Sequence, residues 1–210
     1  MAYTLYGVSG VGSRKNRITW MLEEIDADYE AVDTQPHSDI ALSVNPAGIL
    51  PALKVNDGVI TDSAAIVTFL ADSNPGAGMS FPSGTLERAE MDGWTFLATA
   101  DIEGPLWTAV TQAMLPEQDR NTDLFQFASG KWEHAVKGFA KRLGEKKYVM
   151  GDQFTVPDLI LGHLGFWAKH FDLTIPADNV NDYFDRILKR PAFRRAIEKD
   201  EFARTSKVLQ

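Results

Sequence analysis

The chain has 210 residues, of which 44% are hydrophobic and 24% are charged, and this composition predicts a globular protein, with two small domains as our expectation. The net charge of −8 argues against a nucleic-acid partner, because binding to the phosphate backbone depends on clustered lysine and arginine. The sequence contains no cysteine, which excludes disulfides, thiolate metal sites and every mechanism that needs a protein thiolate.

The first part of the chain predicts a small mixed sheet with helices. Residues 3–8 alternate and are rich in aromatic side chains, which is typical of a strand, and a helical stripe of apolar residues follows a glycine-containing loop. Next come a short strand at 29–34 and a loop with a weak helical signal. "PALKV" and "VIT", on either side of "NDG", then predict a hairpin. A further helix completes the order βαβ(α)ββα within residues 1–75.

The second part of the chain predicts only helices. Residues 76–84 lie in a stretch rich in glycine, proline and serine, which indicates a linker, and residues 85–210 form the predicted helical domain. The first helical run contains Gly104–Pro105, where we expect an interruption. Further helices are predicted at residues 119–143, 155–170, 179–189 and 192–202.

The start of one of these helices is unusually clear in "GDQFTVPDLILGH". Thr155 is a candidate N-cap, and Pro157 stands in the first turn, where its missing N–H costs little. Asp158 occupies the reciprocal position of a capping box. Such a cap stabilises a helix by about 1 kcal/mol, so the predicted role is structural.

The stretch "NPAGILPAL", residues 45–53, contains the most informative proline. Proline cannot donate to a sheet ladder, so its place at the start of the hairpin needs a reason. A cis bond between Leu50 and Pro51 would let the chain turn abruptly and leave the N–H and C=O of Leu50 unpaired at the sheet edge. An extended peptide ligand could then bind there as an added strand. A simple turn proline at a strand start is the alternative.

A second candidate ligand site follows in "TDSAAI". Asp62 and Ser63 stand at the start of the next predicted helix, where free N–H groups and the positive dipole end favour a carboxylate. The Asp62 side chain can also bind an ammonium group. Together with Leu50, these residues fit a ligand that has a free amino-acid head and a peptide bond. Simple N-capping by Asp62 and Ser63 is the other interpretation, and the two roles can coexist.

These motifs together resemble the cytosolic glutathione S-transferases, and the resemblance covers nearly the whole chain. The family's N-P-x-G-x-[VIL]-P-x-L and [ED]-S-x-A-I motifs stand here as "NPAGILPAL" and "TDSAAI". "SRKNRITWMLEEIDADYE" is similar to the family's first helix and second strand, "GDQFTVPDLILGH" to its helix-six capping motif, and "RPAFRRA" to its closing helix. Pro157 is a departure, because the family more often has alanine there.

The resemblance implies an α+β fold of two domains. Residues 1–75 would form a thioredoxin-like βαβαββα domain that binds glutathione, and residues 85–210 an all-α helical bundle that contributes the electrophile pocket. Glutathione would be the co-substrate, and the partners would be a small hydrophobic electrophile and a second copy of the chain in a homodimer. The implied glutathione-binding residues are Leu50, Pro51, Asp62, Ser63 and, near the glycyl carboxylate, His37.

Chemistry on glutathione requires its thiol to ionise near neutral pH. Lowering a thiol pKa of about 8.5 by two units takes roughly 2.7 kcal/mol, most of which one hydroxyl at a helix N-terminus can supply. Counting back from "WMLEE", the ungapped fit to the family's S-R-x-x-R-x-x-W pattern selects Ser13, which we favour as the catalytic residue. Counting forward from the strand selects Ser9 with one inserted residue, and Tyr6 is a third choice.

Three basic residues follow these serines. Arg14, Lys15 and Arg17 would add positive potential near the thiol, unless they form an ordinary solvated helix face. Because the chain has no cysteine, it cannot form the mixed disulfide of cysteine-type relatives. The expected reaction is therefore addition or substitution by the glutathione thiolate on an electrophile.

Two competing interpretations come from other functional classes. "GVSGVG" after a strand, with Asp33 about twenty residues on, fits a dinucleotide loop, but a dinucleotide-binding domain needs more parallel strands than this sequence predicts. The same two-domain fold can also serve as a glutathione-binding interaction or regulatory module without turnover. Within enzymes, glutathione-dependent isomerases, dehalogenases and ether-cleaving relatives stay open.

We expect no metal site and no membrane span. No apolar run approaches the roughly eighteen residues that a span requires, and the start of the sequence lacks the layout of a secretion signal, so a cytoplasmic protein is expected. Metal-ligand spacing such as HExxH is missing from the sequence. The histidines are His37, His134, His163 and His170.

Overall fold

The computed structural model describes the backbone of residues 1–208 and the side chains of residues 1–200. The chain divides into two compact units: residues 1–80 together with the segment that starts at 189, and residues 81–188. A thioredoxin-like sheet with helices occupies the first unit, and the second is helical. The predicted α+β fold class is therefore confirmed.

The first unit follows the predicted order of strands and helices. Its elements are β1 (Tyr3–Gly7), α1 (Lys15–Glu24), β2 (Glu30–Asp33), α2 (Asp39–Val44), β3 (Ala52–Val55), β4 (Gly58–Thr61) and α3 (Ser63–Ser73). The sheet has the strand order β2-β1-β3-β4. β1 pairs in parallel with β2 and antiparallel with β3, and β3 pairs antiparallel with β4.

The core of this unit follows from the apolar patterns that predicted its elements. Alternate residues of β1 are buried, as expected for a strand with one face against helices. In α1, Ile18, Met21 and Leu22 are fully buried at helical spacing, and α1 packs against α3 and contacts β1. The strands and α3 complete the core with Leu5, Leu53, Ile66, Val67 and Leu70.

The second unit consists of packed helices. Its elements are α4 (Leu86–Phe96), a π-helical segment (Leu97–Ile102), α5 (Glu103–Met114), α6 (Thr122–Leu143), α7 (Val156–His170) and α8 (Asp178–Leu188). Aromatic rings fill part of its core: the ring centroids of Phe139 and Tyr183 lie 5.4 Å apart, and those of Tyr183 and Phe184 lie 5.7 Å apart. Among the helices that the structure describes, none is long and apolar enough to cross a lipid bilayer.

The expected interruption at Gly104–Pro105 takes the form of the π-helical segment that precedes it. Proline lacks an N–H, and its ring clashes with the carbonyl four residues earlier, so a regular α-helical ladder cannot continue through Pro105. The wider turns of Leu97–Ile102 separate α4 from α5, and Pro105 then lies in the first turn of α5. The interruption therefore begins several residues earlier than we expected.

The predicted capping box of α7 is confirmed, and its aspartate has further partners. Asp158 Oδ2 accepts the N–H and the hydroxyl of Thr155, each at 2.9 Å. Asp158 Oδ1 accepts the N–H of Val149 at 2.9 Å and the hydroxyl of Tyr183 at 2.7 Å. Burial raises the pKa of Asp158, and these donors oppose the rise. Asp158 thus joins the start of α7 to α8 and to the preceding loop.

The last helix, α9 (Pro191–Val208), belongs to the first unit, whereas the expected boundaries placed it in the helical domain 85–210. It packs against α1, where the rings of Trp20 and Phe193 have centroids 4.8 Å apart. The Arg190 guanidinium also binds both carboxylate oxygens of Glu24, at 2.6 and 2.7 Å. These apolar and ionic contacts explain why α9 groups with the N-terminal sheet and helices.

Candidate glutathione site

The loops that carry the predicted site residues meet at one end of the sheet. The register places Gly7 of β1 opposite Asp33 of β2, and Ala52 of β3 opposite both Tyr6 and Thr61. The ends of β1, β2 and β4 therefore lie beside the start of β3. The segments attached there carry Ser9, Ser13, His37, Leu50, Pro51, Asp62 and Ser63.

The peptide bond between Leu50 and Pro51 is cis, as expected from the sequence. Within the described part of the chain, no hydrogen bond engages the backbone N–H or C=O of Leu50. One detail differs from the expectation, because β3 lies between β1 and β4 and is not an edge strand. The open groups of Leu50 lie at the end of an internal strand, where a peptide ligand can bind without displacing a sheet hydrogen bond.

Asp62 is the N-cap of α3. Its Oδ1 accepts the N–H of Ala64 at 2.8 Å and that of Ala65 at 3.1 Å, so the predicted N-capping by Asp62 is confirmed. The backbone of Asp62 has φ 72° and ψ 126°, which residues other than glycine rarely adopt and which occurs often at ligand sites. The residue is exposed, so a ligand can still reach its carboxylate.

Ser63 is buried at the first position of α3. Its Oγ accepts a hydrogen bond from Nη1 of Arg17 in α1, at 3.1 Å. A hydroxyl that accepts a hydrogen bond still has its own hydrogen to donate. The contact therefore joins the starts of α1 and α3 and sets the direction in which Ser63 can donate.

The two basic residues Lys15 and Arg17 are buried, each with a relative exposure of 1%. The interpretation of a solvated helix face is therefore wrong for both, and only Arg14 of the basic group is partly exposed. A charged side chain can be buried where an opposite charge or hydrogen-bond partners compensate it. Lys15 Nζ lies 2.6 Å from Oδ1 of Asp200, which compensates its charge.

Both candidate serines lie in the loop between β1 and α1, and Lys15 contacts both. The Oγ of Ser13 accepts the backbone N–H of Lys15 at 3.1 Å, so Ser13 lies at the start of α1 as predicted. The Oγ of Ser9 accepts from Lys15 Nζ at 2.9 Å. Tyr6, the third candidate, lies within β1 opposite Ala52.

Asp33 has a structural role at this end of the sheet. Its Oδ1 accepts the N–H of Ser9 at 2.9 Å and so fixes the start of the loop between β1 and α1, residues 8–14, which we call the serine loop. The only parallel pair in the described sheet is β1 with β2, whereas a dinucleotide-binding domain is built on an extended parallel sheet. These observations speak against the dinucleotide interpretation.

His37 lies in the exposed loop between β2 and α2 and has φ 60°. Its N–H donates to the C=O of Gly48 at 2.9 Å. Gly48 has φ 67°, and a Cβ at this position would lie 2.5 Å from Nδ1 of His37. This contact was not predicted from the sequence, although the glycine of "NPAGILPAL" was its signal. Gly48 provides the space in which His37 packs against the loop before β3.

Comparisons with known proteins assign this arrangement to a family. A model of the glutathione S-transferase N-terminal domain matches residues 1–72, and a model of the C-terminal domain of the same family matches residues 105–191. The chain belongs to the glutathione S-transferase family. Glutathione is the co-substrate of this family, so the predicted family, fold and co-substrate are confirmed. Among the described residues, no group of side chains is arranged to hold a metal ion.

Similar members of the family differ in their named reactions. Glutathione S-transferase GstA of Escherichia coli O157:H7 is 26% identical over 205 residues, which cover 93% of this chain and 98% of that protein. A probable maleylacetoacetate isomerase of Caenorhabditis elegans is 27% identical over 185 residues, 84% of each chain. The crystal structure of a glutathione transferase from Methylococcus capsulatus str. bath has a TM-score of 0.83 and 26% identity, and the match covers 95% of this chain and 99% of that one.

Gly48→Ala should destabilise the protein and displace His37. The added Cβ would lie 2.5 Å from His37 Nδ1, and the left-handed conformation costs a residue with a side chain about 1–2 kcal/mol. We expect the thermal unfolding midpoint to fall by roughly 2–8 °C. Gly76→Ala is the matched control, because a Cβ there meets nothing within 4 Å. Equal midpoints for the two variants would contradict this account of the loop.

Proposed function

We propose that this protein is a glutathione transferase that ionises the glutathione thiol with the help of a serine hydroxyl and transfers the thiolate to a small hydrophobic electrophile. The observation that carries the proposal is the meeting of three features at one end of the sheet. These features are the open backbone of Leu50, the start of α3 at Asp62 and Ser63, and the serine loop before α1.

In the proposed complex, each part of glutathione has a matching group. The cysteinyl backbone hydrogen-bonds to the N–H and C=O of Leu50, as an added strand does. The γ-glutamyl ammonium binds the carboxylate of Asp62, and its carboxylate binds the Ser63 hydroxyl at the start of α3, where the helix dipole favours an anion. His37 lies on the exposed loop that would meet the glycyl carboxylate.

The reaction then depends on the thiolate. Its proton leaves to solvent, and a serine hydroxyl donates to the sulfur, which favours the charged form by about 1.5–3 kcal/mol. The sulfur lone pair forms a bond to an electrophilic carbon. In a substitution the leaving group departs with its electron pair, and in an addition the neighbouring atom accepts a proton. Each outcome produces a thioether of glutathione.

A glutathione-dependent isomerase is the second candidate, because a relative of similar identity is named a probable maleylacetoacetate isomerase. Such a reaction would begin with the same thiolate but would release glutathione unchanged. The two candidates therefore share the serine and the glutathione-binding residues. They differ in whether a thioether product accumulates.

The serine role predicts the effect of two alanine variants. Ser13→Ala should lower the rate of conjugation to a generic aryl halide by about tenfold or more, because loss of one charge-assisted hydrogen bond costs about 1.5–3 kcal/mol. Ser9→Ala provides the matched comparison in the same loop. If neither variant slows conjugation, the serine assignment is wrong. A parent protein that is retained on immobilised glutathione but turns over no electrophile would support the binding-module alternative.

The role of Asp62 in ligand binding can be separated from its role as a cap. Asp62→Asn keeps a capping side chain but removes the charge, whereas Asp62→Ala removes both. Both variants should weaken glutathione binding about tenfold or more in calorimetric titration, through the lost charged hydrogen bond. Only Asp62→Ala should also lose about 1 kcal/mol of stability. Parent-like affinity in Asp62→Asn would limit Asp62 to capping.

We also propose, from the family resemblance, a cytoplasmic homodimer. Sedimentation velocity at micromolar concentration should give a single species with twice the mass of the chain. A stable monomer would contradict the proposed homodimer.

A further inference from the structure

Lys15 is a buried cation that contacts both candidate serines. Its Nζ donates to the Oγ of Ser9 at 2.9 Å, and its backbone N–H donates to the Oγ of Ser13 at 3.1 Å. With a relative exposure of 1%, Lys15 is shielded from water. The Lys15 side chain therefore holds the oxygen of Ser9, whereas its backbone N–H, which any residue at position 15 would supply, holds that of Ser13.

The ammonium of Lys15 is fixed in turn by Asp200 of α9, which follows it by 185 positions in the sequence. Asp200 Oδ1 accepts from Lys15 Nζ at 2.6 Å, and Oδ2 accepts from Nδ2 of Asn16. Asp200 has a relative exposure of 3%, so the pair is buried and both carboxylate oxygens are used. Such a pair has few alternative geometries.

This ion pair is not needed to hold α9 against α1. A buried ion pair adds little net stability, because desolvation of two charges offsets most of their attraction. The two helices are already joined by the packing of Trp20 on Phe193 and by the Arg190–Glu24 pair. Glu23 also binds α9: burial raises its pKa, but hydrogen bonds from Lys199 and Arg195 outweigh this and hold the pKa below the usual value.

The hydrogen bonds from Lys15 determine which way a serine can donate. A hydroxyl has one hydrogen and two lone pairs, whereas an ammonium group and a backbone N–H can only donate. A serine oxygen that accepts from Lys15 must therefore direct its own hydrogen away from Lys15. This is the orientation that a thiolate requires of its partner. The N–H of Ser9, bound to Asp33 at 2.9 Å, restrains the loop from the other side.

We propose that the Lys15 ammonium positions the hydroxyl of Ser9 for the glutathione thiol, and that Asp200 fixes Lys15 in place. The inference rests on the proposed function, since Lys15 acts through a serine. It gives α9 a part in the glutathione site that is independent of any contact with a substrate.

The test replaces the ion pair by neutral groups in Lys15→Met/Asp200→Asn. No unpaired charge is left buried, and the amide oxygen introduced by Asp200→Asn can still accept from Asn16, so the fold should persist. The ultraviolet absorbance of the thiolate reports ionisation of bound glutathione as a function of pH. We expect the apparent pKa of the bound thiol to rise by about one unit and kcat/KM at neutral pH to fall about threefold, with the thiolate fraction. Glutathione affinity measured well below the pKa of the bound thiol should change little, because Lys15 does not touch the tripeptide and affects only the ionised thiol.

Lys199→Met is the matched control. It removes the lysine next to Asp200 on the same helix, which binds Glu23 and not the serine loop. The bound thiol pKa and the rate should equal those of the parent. If the double variant of Lys15 and Asp200 unfolds, Lys15→Arg serves instead, because it keeps the charge pair but moves the donor relative to Ser9. A parent-like thiol pKa in Lys15→Arg would then overturn the inference.

Double-variant coupling separates positioning from general structural damage. Because Lys15 acts through Ser9, adding Lys15→Met/Asp200→Asn to Ser9→Ala should cause no further rise in the thiol pKa, whereas the rise should persist in the Ser13→Ala background. An additive effect in the Ser9→Ala background would overturn the inference. The inference would be overturned, with the proposed function intact, if the thiol pKa were parent-like in Lys15→Met/Asp200→Asn but raised in a serine variant. If neither serine variant changes the thiol pKa, the serine mechanism fails and the inference with it.

Discussion

The register of the mixed sheet is the constraint on which the candidate glutathione site depends. Because β1 runs parallel to β2 and antiparallel to β3, three strand ends and one strand start lie together. Four loops that are far apart in the sequence thereby come together at the candidate site. A shift of one residue in this pairing would turn each side chain to the other face of the sheet, so the buried core holds the register and the site in place.

Much of the candidate site consists of backbone groups and helix starts. The open N–H and C=O of Leu50 and the first N–H groups of α3 are present whatever the neighbouring side chains are. A site of this kind tolerates sequence change as long as the turn before β3 and the cap at Asp62 are kept. This tolerance fits a family in which relatives of only 26% and 27% identity match most of the chain.

The first turn of α1 shows how burial changes the meaning of a charged residue. From the sequence alone, Lys15 and Arg17 are compatible with a solvated helix face. In the structure they contact the polar atoms of the site, Lys15 at Ser9 and Arg17 at Ser63. Buried cations require partners, so these contacts restrict the serine hydroxyls in a way that freely solvated side chains could not. The rigidity of the site and the burial of its charges are therefore linked.

The sequence by itself determined the features that depend on neighbours within a few residues. The order βαβαββα, the cap of α7 at Thr155 and Asp158, and the cis bond before Pro51 all follow from local turn, cap and proline chemistry. Tertiary structure alone decided that β3 is internal, that α9 packs on α1, and that Asp200 meets Lys15 across 185 positions. Local patterns report backbone preferences and apolar periodicity. They do not indicate which distant carboxylate will neutralise a buried cation, because that depends on how the helices pack.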